Sequence, residues 1–352
     1  MILYLHIGTE KTGSSYLQTM AAINREGLLR ERIWFPRGGR LEAQMIAGQI
    51  SDGNAQPLTD AINEDDWQKV FELLKEKYTE GIQKKANKIL LSNELMLLAL
   101  SSKDRIERLV KATKEVGYST VYFLVLLRDP VDHALSLYKH RAKSGRIKSI
   151  EEWATEGYSY GIGLRRFFDA ADSISNQLNV RKYAPKQKPI ENILFKDWLG
   201  VSDLLKAPKR KINPSLTLSE LALLRCHYSI DKEGVKILYD QFLKLPKQDK
   251  AINRELEGYH RSILASKLSF YEETWEKCNE WLNVDEKLIQ PLSLKGPIKR
   301  VKENYVYSRN QLRVINGFMS KWREPSFQLL LKYRTYRRKI AKFLLGKILR
   351  KG

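Results

Sequence analysis

The chain opens with an apolar run, ILYLHI (2–7), that breaks at a glycine and gives way to SSYLQTMAAINREGLL, whose apolar positions fall three or four apart. The same alternation recurs. IWF (33–35), KILLS (88–92) and TVYFLVLL (120–127) are short apolar runs without period-two polarity, and LNVRKYA (178–184) is a fifth candidate. Such runs suit strands buried on both faces, as in a parallel sheet covered by helices. Between them, DDWQKVFELLKEKY and KDRIERLVKATKEV carry the helical spacing. The first half therefore predicts an α/β fold, a parallel sheet flanked by helices.

Beyond about residue 215 the strand-like runs stop, and helical patterns follow in TLSELALLRCHYSI, GVKILYDQFLKL and FYEETWEKCNEWLN. No long Gly/Ser or Pro linker sets them apart, so they are expected as helical additions packed on the sheet. The expected organisation is one domain over 1–290 and a basic C-terminal extension over 291–352. No internal repeat is found.

Composition changes this picture little. In 352 residues, 43% hydrophobic content is ample for a buried core. A formal net charge of +21 points to an anionic partner, which nucleic acid, anionic lipid, acidic glycan and a phosphorylated cofactor all satisfy. ILYL has no basic residue before it and is shorter than a signal-peptide core, and no window approaches the roughly 18 apolar residues of a membrane span. An unexported, cytoplasmic protein is expected. Cys226 and Cys278 lack ligand-like spacing and are expected as free, buried thiols in a reducing compartment.

The candidate chemistry begins at IGTEKTGSS (7–15). A triphosphate-binding loop reads G-x-x-x-x-G-K-[ST], its lysine following the second glycine. Here Ser14 follows Gly13, and the lysine, Lys11, stands two residues before that glycine. Strand, glycine turn and helix together aim backbone N–H groups at an anion. Ser14 and Ser15 can cap the helix and donate to the anion, and Lys11 can reach a bridging oxygen. A tight turn with serine caps and a solvated lysine would carry the same sequence. The second element is TVYFLVLLRDPVDHALSLYKHR, with Arg128 at a strand end and Ser136 two turns into the next helix. Both can converge on one phosphate, the guanidinium supplying a planar fork, or Arg128 can pair with Asp129 or Asp132. A magnesium-dependent kinase would call for an acidic residue at a neighbouring strand end, where VLLRDP places Arg128 first.

Together these residues resemble the sulfotransferase family, specifically its bacterial carbohydrate-type members. H-I-G-x-x-K-T-G-[ST]-[ST]-x-L-Q is similar to the loop that holds the 5′-phosphosulfate of PAPS (3′-phosphoadenosine 5′-phosphosulfate), and R-D-P-x-x-x-x-x-S resembles its 3′-phosphate element. Weaker similarity runs through 182–201, 209–220 and 277–282, so the likeness spans roughly 1–285. The resemblance implies a P-loop-type sulfotransferase fold over 1–290 and in-line transfer from PAPS to a hydroxyl of a carbohydrate or glycolipid. It implies Gly8, Lys11, Thr12, Gly13, Ser14 and Ser15 on the 5′-phosphosulfate, Arg128 and Ser136 on the 3′-phosphate, and Lys11 stabilising charge on the leaving oxygen. Tyr183 would lie near the nucleotide, with plain packing equally open. Arg210, in the run Lys209–Lys211, would close over the 3′-phosphate, although such a run is also an ordinary solvated surface.

A base for the acceptor hydroxyl is expected at Glu94, just past the strand in KILLSNELM, because S-x-E resembles the family's glutamate placement; a residue favoured by a helix N-terminus is the alternative. His140 is the reserve base. His6 lies inside a strand and is expected in the core, His133 shares His140's helix, and His227 and His260 carry no motif. None has metal-ligand spacing, and no metal is expected. At the C-terminus, nine Lys or Arg fall between Lys332 and Lys351, with no acidic residue after Glu324. Ile340, Phe343, Leu344, Leu345 and Ile348 can share one helical face, which suits either an anionic membrane surface or packing on the domain. Nucleic acid is disfavoured, since no recognition module accompanies the charge. Two further readings stay open at this point: an atypical P-loop kinase, and a noncatalytic membrane-surface protein with a nucleotide-binding fold.

Overall fold

The five apolar runs form five strands: β1 Ile2–Gly8, β2 Ile33–Trp34, β3 Lys88–Ser92, β4 Thr120–Leu127 and β5 Leu178–Lys182. All pair in parallel in the order β2-β3-β1-β4-β5, the sheet the pattern predicted. The computed structural model describes residues 1–39, 42–48, 53–142, 148–185, 187–201, 206–208, 216–228, 232–245, 254–294, 307–322 and 324. Arg210 and the basic tail beyond Glu324 lie outside the described residues.

Alternate residues of the strands enter two different cores. Leu3, Leu5, Ile7, Leu91, Phe123 and Val125 pack with helices Gln56–Asn63, Trp67–Gln83, Lys103–Val116 and Tyr160–Ala170. Tyr4, Leu90, Leu124 and Leu126 pack with Leu17 and Met20 of helix Ser14–Ile23 and with Ile193, Leu194 and Phe195 of the π-helical turn Asn192–Trp198. Burial on both faces is why the strands lack polar alternation, and each large apolar side chain so placed stabilises the fold by roughly 1.5–3 kcal/mol.

The stretch SSYLQTMAAINREGLL breaks into helices Ser14–Ile23 and Arg25–Arg30. Asn24 causes the break: its Nδ2 returns to the Met20 carbonyl at 2.8 Å and also reaches the Lys206 carbonyl at 2.9 Å. A short amide side chain competes with the helix for its own backbone groups.

The chain divides into two compact units. The first, Met1–Ala134, Glu156–Asn213 and Ala265–Lys295, contains the sheet. The second takes Leu135–Thr155, Pro214–Leu264 and the chain from Gly296 on. Its described helices include Leu218–Tyr228, Lys232–Leu243 and Arg309–Trp322, which meet around Leu221, Leu224, Leu238, Phe242 and Phe318. Much of the helical chain beyond 215 thus has an apolar core of its own.

Cys278 is buried, and burial holds its thiol pKa above the ordinary range. Cys226 is exposed, against expectation, because it lies two positions past Leu224 on helix Leu218–Tyr228 and turns away from that helix's apolar stripe. Neither takes part in a disulfide. Among the described residues no helix is long and apolar enough to cross a membrane.

Candidate functional site

Parallel pairing brings the carboxyl ends of β3, β1 and β4 to one edge of the sheet. From there β1 leads toward the β2 side and β4 toward the β5 side, so the β1/β4 crevice is a topological switch point, the usual ligand position in open α/β sheets. Three predicted residues emerge here: Lys11 after β1, Glu94 after β3 and Arg128 after β4.

The loop after β1 depends on its glycines. Gly8 has φ +139°, and a Cβ there would sit 2.9 Å from the Glu94 carbonyl oxygen, so only glycine allows the turn to lie on the end of β3. Thr9 is stitched to β4, its N–H and hydroxyl both donating to the Leu126 carbonyl at 3.2 and 2.9 Å. The hydroxyls of Thr12 and Ser14 donate back to the Thr9 carbonyl. Lys11 takes φ +62°, a left-handed conformation costly for a residue with a side chain.

Helix Ser14–Ile23 then begins from Gly13, at φ +88°, with no side-chain cap. This corrects the expectation that Ser14 and Ser15 cap it. Ser14 is turned back to Thr9, and the Ser15 carbonyl accepts from the Thr19 hydroxyl one turn on. A Cβ on Gly13 would meet Ile190 Cδ1 at 2.7 Å and the Tyr183 ring at 3.1 Å, so Tyr183 packs against the loop.

Arg128 joins the same cluster. Its Nη1 donates to the Lys11 carbonyl at 3.2 Å, and its guanidinium lies 5.6 Å from the centre of the Tyr183 ring. Burial raises the Tyr183 pKa while the Arg128 charge opposes that rise. Asp129 turns elsewhere, accepting from Lys182 Nζ at 2.8 Å and the Ile289 N–H at 2.7 Å. Glu94 is half-buried in the turn before the short helix Met96–Ala99. Ser136 and His140 lie further along helix Pro130–Arg141, in the second unit.

The sequence reading passed over His133. It is fully buried, with Nε2 3.1 Å from the Glu10 carbonyl, Nδ1 3.0 Å from the Tyr158 hydroxyl and its ring stacked on Tyr160 at 3.9 Å. A carbonyl can only accept, so Nε2 carries the proton and Nδ1 accepts from Tyr158. Burial, reinforced by the charges of Arg128 and Lys11, pushes its pKa down to about 3, and the imidazole is neutral at ordinary pH. It braces the residue next to Lys11. Its place one turn past Asp129, whose carbonyl accepts its N–H at 2.8 Å, is the signal that could have found it.

His6 has the core role expected of it. Its Nδ1 lies 2.9 Å from Ser92 Oγ, which also accepts from Gln18 Nε2 at 3.2 Å, and burial lowers its pKa to about 4. Among the described residues no three His, Cys, Asp or Glu come together as metal ligands.

No family model matches the chain, and no curated protein matches it. Among solved structures, it is similar to the crystal structure of a sulfotransferase from Alicyclobacillus acidocaldarius, with 17% identity, 66% of this chain and 93% of that chain covered, and a TM-score of 0.34. That likeness is too distant to bear on function, and the site is read from its own geometry.

Proposed function

We propose that the protein is a sulfotransferase that moves a sulfuryl group from PAPS to a hydroxyl of a saccharide or glycolipid. The observation that carries this reading is the uncapped start of helix Ser14–Ile23, entered through Gly13, with Arg128 of the neighbouring strand bonded across to the Lys11 carbonyl. Gly8 and Gly13, where a Cβ would collide with the Glu94 carbonyl and with Ile190, let the loop lie against the end of β3 and the Tyr183 ring. Helix N–H groups and a guanidinium suit phosphate groups. A β,γ-triphosphate would call for a metal-holding acid, but Asp129 at the β4 end is committed to Lys182 and to the Ile289 amide.

PAPS supplies an activated sulfuryl group when bound. The 8–15 loop would hold its 5′-phosphosulfate, Arg128 its 3′-phosphate, and Tyr183 would lie beside the nucleotide. Lys11 places positive charge where the leaving oxygen becomes negative, an interaction strongest in the transition state. Glu94 takes the acceptor hydroxyl's proton. His133 keeps Glu10, and with it Lys11, in place.

PAP, the desulfated product, is expected to raise the melting temperature without magnesium, and more than ATP with magnesium does. Arg128→Ala is expected to weaken PAP binding by about 10- to 100-fold, the loss of a hydrogen bond to a charged group. Lys139→Ala, whose ammonium already pairs with Glu257 at 3.1 Å, should leave it unchanged. Stabilisation by ATP with magnesium and none by PAP would overturn the reading in favour of a kinase.

A further inference from the structure

Near the carboxyl end of β3 a partly open cavity of about 330 Å³ lies between residues 53–58 and helix Trp67–Gln83. That volume is ligand-sized. Its walls are mainly apolar: Ala55, Leu58, Leu73, Leu74 and Leu91. The polar side chains around it are largely engaged. Asn54 Nδ2 donates to the Pro36 and Leu90 carbonyls, both at 3.2 Å, while its Oδ1 accepts from the Ser92 N–H at 2.8 Å. Lys77 is held between Glu76 and Glu80, 2.7 Å from each.

The wall formed by 53–56 is pinned to the carboxyl end of β3. The Ala55 N–H donates to the Ser92 carbonyl at 3.2 Å, and a Cβ on Gly53 would lie 2.0 Å from the same oxygen, so this segment rests directly on the strand end. Gln56 Oε1 accepts from Asn93 Nδ2 at 2.7 Å. Asn93 is followed by Glu94, so the cavity wall is tied through Gln56 to the residue before the proposed base.

We propose that the cavity receives an apolar part of the acceptor, so that the substrate is an amphiphile, a glycoside bearing an alkyl or acyl group, rather than a bare sugar. The inference rests on the sulfotransferase reading and sharpens its acceptor side. A bare saccharide would leave leucine walls facing water or polar hydroxyls without partners, whereas a short hydrocarbon chain buries both surfaces.

The test titrates the full-length protein, with PAP present, with n-octyl β-D-glucoside kept below its micelle concentration and with methyl β-D-glucoside, by calorimetry. The two share a headgroup and differ only in the chain. At about fourfold per buried methylene, even partial insertion makes the octyl compound at least 30-fold tighter. Leu73 is half-buried and on a helix surface, so Leu73→Trp, which fills the cavity, and Leu73→Asp, which charges it, are both expected to fold. Each should lower octyl glucoside affinity at least tenfold and leave PAP stabilisation unchanged. Equal affinity for the two glucosides, or octyl binding untouched in both variants, overturns the acceptor cavity and leaves the sulfotransferase reading standing while PAP still binds. Failure of PAP to stabilise the wild-type protein removes that reading, and the acceptor assignment with it, whatever the octyl result.

Discussion

In the second unit, three described helices begin on side chains that close them. Thr217 and Glu220 exchange bonds with each other's N–H groups at 3.2 and 2.7 Å, and Ser149 with Glu152 and Ser308 with Gln311 repeat the arrangement. Glu220 is fully buried, and its other oxygen accepts from Gln311 Nε2 at 2.8 Å. In the first unit, helices Trp67–Gln83 and Lys103–Val116 are also capped, by Asp66 and Ser102. Helix Ser14–Ile23, like Gln56–Asn63 and Tyr160–Ala170, has no side-chain cap, but it starts from a left-handed glycine. A helix start that commits its N–H groups to its own side chains has stability but little to offer an anion; an uncapped one keeps those donors for a ligand. The left-handed entry, beside Lys11 and Arg128, is what marks the candidate site within the scaffold.

The largest effects are expected at the uncapped helix and the strand ends beside it. Glu94→Gln should lower turnover by about 10²–10⁴-fold, the range for a positioned base, and Lys11→Ala by about 10²–10³-fold, the range for removing one stabiliser of transition-state charge. Glu94→Gln should leave PAP affinity nearly intact, since the base faces the acceptor, and Lys11→Ala should depress turnover more than PAP affinity, since its charge acts mainly at transfer. Single-turnover rates beside PAP titrations separate the two quantities, and a fully active Glu94→Gln protein would remove this residue from the chemistry.

A smaller effect of a different kind is expected in the capped helices. Glu220→Ala strands the Thr217 N–H and Gln311 Nε2, and should cost about 2–4 kcal/mol of stability in urea unfolding. PAP affinity should not move. A loss of PAP affinity with stability intact would break the division between scaffold and site.

The smallest effect per residue and per pH unit is the acid response. His6 and His133 have an ordinary pKa of 6.5 and folded values of about 4 and about 3. The unfolded chain therefore binds protons that the folded one refuses. Their contribution is fully present above the ordinary value and is lost as pH falls from there toward each folded pKa, at about 1 kcal/mol per histidine per pH unit. Urea midpoints at pH 7 and pH 5 should show that loss, and His133→Gln should reduce it by about half. An unchanged slope in the variant would show that His133 is not its source.

Local pattern alone determined the strands, because a strand buried on both faces must be apolar throughout, and it marked Gly8 and Gly13 as turns between a strand and a helix. It also put Lys11, Glu94 and Arg128 just past strand ends, which parallel pairing turns into a single edge. What it missed lies in contacts between distant segments. The bond from Arg128 to Lys11 spans 117 residues, and the bond from His133 to the Glu10 carbonyl spans 123. Ser14 read as a helix cap because serine at a helix start usually is one; the Thr9 carbonyl, turned toward it by the loop, claimed its hydroxyl instead. Asn24 looked like one more position in a helix until its side chain reached the Met20 and Lys206 carbonyls. Periodicity reports what one segment needs, a buried face or a turn. Which donor meets which acceptor depends on strand order, and strand order is decided only when the whole sheet assembles.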